Sequence, residues 1–101
     1  MKATVEVSEQ VIRFLQRQAP EPRRALRAAL HGLERESGDI KALEGPLADY
    51  FRLRVRGYWI IFVYATAGKR GRVIRCIFAE KRSAVYEIFS EALRKQLLGR
   101  E

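Results

Sequence analysis

Seven consecutive residues, Tyr58-Trp59-Ile60-Ile61-Phe62-Val63-Tyr64, carry no charge. A strand turns successive side chains to opposite faces, so this run is apolar on both and predicts a central strand covered above and below. The segment before it follows a different rule. Phe51, Leu53 and Val55 alternate with Arg52, Arg54 and Arg56, which predicts a half-buried strand with three guanidinium groups on its open face. Arg56-Gly57 fits a two-residue hairpin turn, with Gly57 supplying the turn. In that register Val55 opposes Tyr58, Arg54 faces Trp59 and Arg52 faces Ile61.

The remaining elements follow from period and punctuation. Ala3, Val5 and Val7 alternate with Thr4 and Glu6 in a short first strand. Ser8 is a candidate cap for a helix over about Glu9–Gln18, with Val11, Ile12, Phe14 and Leu15 inward. Pro20-Glu21-Pro22 ends it, and a second helix, with Pro22 able to sit in its first turn, runs to about Glu36 and carries Leu26, Ala29, Leu30 and Leu33 at helical spacing. Ser37-Gly38-Asp39 stops that helix, and Leu43–Leu47 reads as a connector. Ala67–Arg72 reads as a basic hairpin loop before a third run from Val73 to Ala79. A last helix from near Ser83 places Val85, Ile88, Phe89, Ala92 and Leu93 on one stripe. The expected fold is α+β, in the order β-α-α-β-β-β-α. An antiparallel meander carries an N-terminal helical hairpin and a C-terminal helix.

At 101 residues the chain predicts one domain spanning 1–101, with a core that needs no metal or disulfide. No apolar run approaches the ~20 residues that span a bilayer, and the start Met1–Val7 lacks an apolar signal core. The lone Cys76 sits in an apolar run and reads as a small buried hydrophobe. These features fit a cytoplasmic protein with no membrane partner. The net charge of +8 is unevenly placed: residues 1–50 hold eight basic and eight acidic side chains, residues 51–101 twelve and four. Such a field attracts phosphate backbones or an acidic protein segment, and also serves as a solubilising surface.

Arg52 and Arg54, about 6.5–7 Å apart on one side of a strand, would present two forked donors beside the Trp59 indole. Phosphate grip beside a stacking plane is a common arrangement for single-stranded nucleic acid. The competing reading places Trp59 in the core and the arginines on a solvated face. Near the end, Arg82 and Tyr86 are spaced to share a face at a helix start. His31 is the one histidine and lies on the second helix, and no His/Cys/Asp cluster suggests zinc. Any phosphoryl chemistry would rest on positioning and fixed cations. Arginine stays protonated and is a poor proton shuttle.

Taken in order, Leu43-Glu44-Gly45, Tyr50-Phe51-Arg52-Leu53-Arg54-Val55, Gly57-Tyr58 and Lys81-Arg82-Ser83-Ala84-Val85-Tyr86 resemble the RelE/ParE superfamily of bacterial type II toxins. The resemblance covers nearly the whole chain and resides in the ordered set, since no single motif is highly specific. It implies a RelE-like fold and a cognate antitoxin protein as hetero-oligomeric partner. For the mRNA-cleaving RelE branch it further implies a ribosome-dependent endoribonuclease acting without metal or other cofactor, with mRNA and the ribosome as partners. In that reaction the 2′-hydroxyl attacks the adjacent phosphorus and leaves a cyclic phosphate. Carried over by position, Arg52, Arg54, Arg82 and Tyr86 are the implied catalytic set, in which Tyr86 is the candidate base or stacking group and Lys81 a candidate acid; Arg56, Trp59 and Lys81 are expected beside them as RNA-binding residues. Trp59 departs from the pattern, standing where the family has arginine. Two other functions share the fold: a ParE-like inhibitor of DNA gyrase and a catalytically inactive binding protein.

Overall fold

Ser8 separates the first two elements. Its extended backbone ends β1 (Thr4–Val7), and its hydroxyl accepts from the Val11 N–H to cap α1 (Glu9–Gln16). The computed structural model describes residues 2–66 and 72–98. Val11, Phe14 and Leu15 are buried along α1, but Ile12, expected inward, is 43% exposed on the flank of that stripe. The helix stops at Gln16 because Arg23 donates to the carbonyls of Leu15, Gln16 and Gln18. α2 (Pro20–Gly32) holds Pro22 in its first turn, as expected, buries Leu26, and passes through a 3-10 turn at Leu33–Arg35.

An unexpected strand follows. β2 (Asp39–Ala42) pairs with β3 (Phe51–Val55), which pairs in turn with β4 (Tyr58–Thr66) and β5 (Arg72–Lys81); α3 (Val85–Leu98) ends the order. The sheet order is β1-β5-β4-β3-β2, antiparallel except for the parallel β1–β5 pair. The class is α+β as expected, with one more strand than the seven-element order allowed. The expected loop at 67–72 lies, apart from Arg72, outside the described residues. No helix among the described residues is long and apolar enough to cross a membrane.

The doubly apolar run occupies the middle of the sheet, as β4. Ile60 and Phe62 join Leu53, Ile74 and Cys76 beneath α1 and α2, while Ile61 faces the other way against Val85 and Phe89 of α3. A bulge in β5 helps to fill the second side. Ile61 pairs with Phe78 but Phe62 pairs with Cys76, so Ile77 is the extra residue, and both Ile77 and Phe78 pack into the α3 cluster. Where β1 ends, α1 takes over the outer edge of β5. Ser8 Oγ donates to the Ile77 carbonyl at 3.0 Å, and the Gln10 amide both accepts from and donates to the Ala79 backbone.

The hairpin register is the predicted one: Val55 with Tyr58, Arg54 with Trp59, Arg52 with Ile61. The turn itself differs, because Arg56 rather than Gly57 takes the positive φ, at 55°. α3 also deviates. It begins two residues later than predicted and buries Val85 and Phe89, leaving Ile88 and Ala92 exposed.

Two predictions follow from the packing. Gly38 has φ 125°, and a Cβ there would lie 2.8 Å from Leu53 Cδ1. Gly38→Ala should therefore cost about 2 kcal/mol, from backbone strain plus displacement of a buried leucine, read as a lowered thermal midpoint. Cys76 is fully buried, and burial pushes its thiol up from 9.0 to about 12. It should resist iodoacetamide at pH 8 until urea unfolds the chain. The raised value means that its contribution to stability is complete below about pH 9 and is lost as pH climbs towards 12.

Candidate functional site

On the α3 side of the sheet, strand alternation sets polar groups in two rows. Asp39, Arg54, Trp59 and Glu80 pair in succession across β2, β3, β4 and β5, and Lys41, Arg52, Ile61 and Phe78 form the next row. Four of the residues singled out in the sequence lie here: Arg52, Arg54 and Trp59 by register, and Tyr86 by contact. The Tyr86 ring meets the Trp59 indole edge-on, with centroids 5.4 Å apart.

Arg52 is already engaged. Its guanidinium lies 5.1 Å from the indole centroid, donates to the Asp39 carbonyl at 3.1 Å and approaches the Asp39 carboxylate at 3.4 Å; its side chain is 12% exposed. A cation over an indole is worth about 0.5–2 kcal/mol depending on desolvation. Arg52 therefore clamps Trp59 to β2 more than it offers a free fork. Arg54, Lys41 and Arg82 are among the described cations that make no ion pair. Arg54 and Lys41 rise from adjacent strands of this face, both exposed.

Arg82 reaches the site by a different route from the one expected. It lies in the turn before α3 rather than on the helix, and its backbone N–H donates to the Gly57 carbonyl at 2.8 Å. That bond ties the entry to α3 to the tip of the β3–β4 hairpin and leaves the guanidinium exposed at the end of the sheet.

Arg56 and Lys81 are not brought to this face. The left-handed turn sends Arg56 to the helical-hairpin side, where it pairs with Glu21 at 3.0 Å. Lys81 pairs with Tyr58, whose ring packs against Phe14 of α1. Lys41 is the residue that sequence reading missed, because its strand was read as loop. Glu80 was missed because strand parity near a bulge is not visible in sequence; its carboxylate accepts from the Lys81 N–H at 2.8 Å. His31 is exposed on α2 beside Glu34, away from this face.

Trp59 is partly buried among Leu47, Tyr50 and Phe78, and its Nε1 is the one buried side-chain polar atom without a partner among the described residues. An unpaired buried donor destabilises by about 1–3 kcal/mol. Trp59→Phe should therefore leave the unfolding free energy within about 1 kcal/mol of wild type, since loss of area offsets removal of the orphan N–H. Trp59→Ala should cost about 3 kcal/mol. Urea titration of both variants measures the difference.

No protein-family model and no curated protein sequence matches the chain. Solved structures do. The RelBE2 toxin–antitoxin complex of Mycobacterium tuberculosis aligns with TM-score 0.68 and 21% identity, over 81% of this chain and 100% of that one. The archaeal RelE–RelB complex of Pyrococcus horikoshii aligns with TM-score 0.60 and 26% identity, over 81% and 97%. A YoeB/ParE toxin from Agrobacterium tumefaciens aligns with TM-score 0.60 and 14% identity, over 77% and 97%. The resemblance carried by the ordered motifs thus has its counterpart in three dimensions: this chain has the fold of the RelE- and ParE-type toxins.

Proposed function

We propose that the chain is the toxin of a toxin–antitoxin pair and that it cleaves mRNA on the ribosome. The observation that carries this reading is the α3 side of the sheet. Exposed cations at Arg54 and Lys41 stand on this face and Arg82 in the turn before α3, with Arg54 paired across the strands to Trp59, whose ring meets Tyr86. Fixed guanidinium groups suit a phosphodiester whose charge grows in the transition state. In the proposed reaction the ribose O2′ bonds to phosphorus as the P–O5′ bond breaks, giving a cyclic phosphate and a 5′-hydroxyl. Arg54 and Arg82 stabilise the equatorial oxygens, Arg52 positions Trp59, and the Tyr86 hydroxyl takes the O2′ proton as it gives its own to the departing O5′. The same basic face offers an antitoxin its acidic or amphipathic segment to cover, in keeping with relatives of this fold solved as toxin–antitoxin complexes.

Two features favour a second reading, a ParE-like gyrase inhibitor without nuclease activity. Trp59 occupies an arginine position of the RelE pattern, and Arg52 is held by Asp39 and the indole.

Primer extension in a reconstituted translation reaction, run beside a gyrase supercoiling assay, separates the two. The expected result is codon-phased mRNA cleavage, reduced about 100-fold by Arg54→Ala, Arg82→Ala or Tyr86→Phe and unchanged by Arg13→Ala on the far helix. Intact mRNA with lost supercoiling would replace this reading with the gyrase one.

A further inference from the structure

Beside the two rows of the basic face runs a groove that shares only Tyr86 with the proposed chemistry. It has a volume of about 500 Å³ and lies between the 3-10 turn Gly45–Leu47 and the outer face of α3. Its apolar walls are Leu47, Leu93 and the ring of Tyr86, and its polar rim is Glu44, Ser90 and Arg94. We propose that this groove takes the base of one nucleotide, next to the nucleotide whose phosphate sits at Arg54. The inference rests on the RNA-binding reading above and names the subsite which that reading lacks.

Three observations support a nucleobase as occupant. The groove is continuous with the basic face, because Tyr86 is at once its wall and the ring against Trp59. Arg54 pairs across the strands with Trp59, whose ring lies 5.4 Å from that of Tyr86, so a single residue separates the cation from the groove wall. Tyr86 is 43% exposed, so one side of the phenol is open for stacking, an interaction indifferent to which base is present.

The rim chemistry then gives preference. Glu44 only accepts, whereas Arg94 only donates and Ser90 does either. Arg94 is steadied by Glu91 at 3.5 Å. A carboxylate at the mouth repels phosphate, so the strand enters base first, with its backbone left on the cationic side. An exocyclic amino group satisfies Glu44 while a ring acceptor meets Arg94 or Ser90. Adenine, cytosine and guanine carry that combination and uracil does not.

The test uses the chain's single tryptophan, which reports from beside Tyr86. Trp59 fluorescence is titrated with 2′-O-methyl hexanucleotides, which bind without cleavage, with one abasic position moved along the sequence. One position should weaken binding about tenfold when the base is removed, and uracil there should weaken it about fivefold. Ser90→Phe and Leu47→Phe fill the groove from opposite walls. Each should bind the intact oligomer about as weakly as wild type binds the abasic one, and show no further loss at that position. Glu44→Gln should erase the preference against uracil. Wild type that binds the intact oligomer with no sensitive position, or a sensitive position that persists in both filled variants, overturns the groove while leaving the nuclease reading intact. Wild type that neither binds the oligomers nor cuts mRNA in translation overturns both.

Discussion

The burial of β4 on both faces governs this molecule. A strand that alternates needs cover on one side only; β4 presents Ile60 and Phe62 one way and Ile61 and Trp59 the other, so the chain must supply two layers. The first comes from α1 and α2, which arrive before the meander is built. The second is α3, after the last strand, with Leu43, Leu47 and Tyr50 of the β2–β3 connection packed beside it. One helix is a narrow cover for a five-stranded sheet, and the bulge at Ile77–Phe78 compensates by sending two consecutive side chains to that side. Even so, α3 covers only part of it. The uncovered remainder, at β2, β3 and the near half of β4, is the candidate site.

Trp59 lies at the border of that cover. Its ring adds to the α3 cluster on one side and supports the Arg52 guanidinium on the other. A large flat side chain fills the seam between a helix too narrow to reach further and a row of charges that cannot be buried. Its Nε1 is left without an acceptor among the described residues. The site therefore includes a partly desolvated indole next to exposed cations, where a ligand oxygen placed near that edge after a small ring rotation would find a donor waiting.

What could be read from the sequence depended on how local each signal was. The β3–β4 register followed from a two-residue turn and strict alternation, both contained within about ten residues. α1 and its cap, the proline start of α2 and the α+β class were equally local. β2 was not legible: Asp39-Ile40-Lys41-Ala42 has one large apolar side chain, and pairing with β3 through backbone hydrogen bonds makes it a strand. Missing it concealed the environment of Arg52 as well, since the acid that holds that guanidinium comes from the missed strand. The sequence showed the positions of Arg52, Arg54, Trp59 and Tyr86 on one side of the molecule. It did not show that one of the two strand arginines is clamped, or that Arg56 turns away through a positive φ.

The charge distribution carries the same lesson at larger scale. Along the chain all of the positive excess belongs to the second half, yet the fold does not leave it there. The ion pairs that span the chain are Arg52–Asp39, Arg56–Glu21, Arg72–Glu36 and Arg75–Glu6, and each joins a cation of the second half to an acid of the first. Exposed pairs of this kind add little stability, but they redistribute the field. The sheet's own arginines are partly neutralised by carboxylates from β1, the start of α2, the turn after it and β2, while cations of the first half such as Lys41 remain without an ion pair among the described residues. On the α3 side of the sheet Arg54 and Lys41 stand exposed without an ion pair, and Arg82 is exposed in the turn before α3. No carboxylate holds these three, and Arg54 pairs across the strands with Trp59, whose ring meets Tyr86. An anionic strand arriving there meets charge that costs no ion pair to expose, whereas at Arg56, Arg72 or Arg75 it would have to displace a carboxylate first.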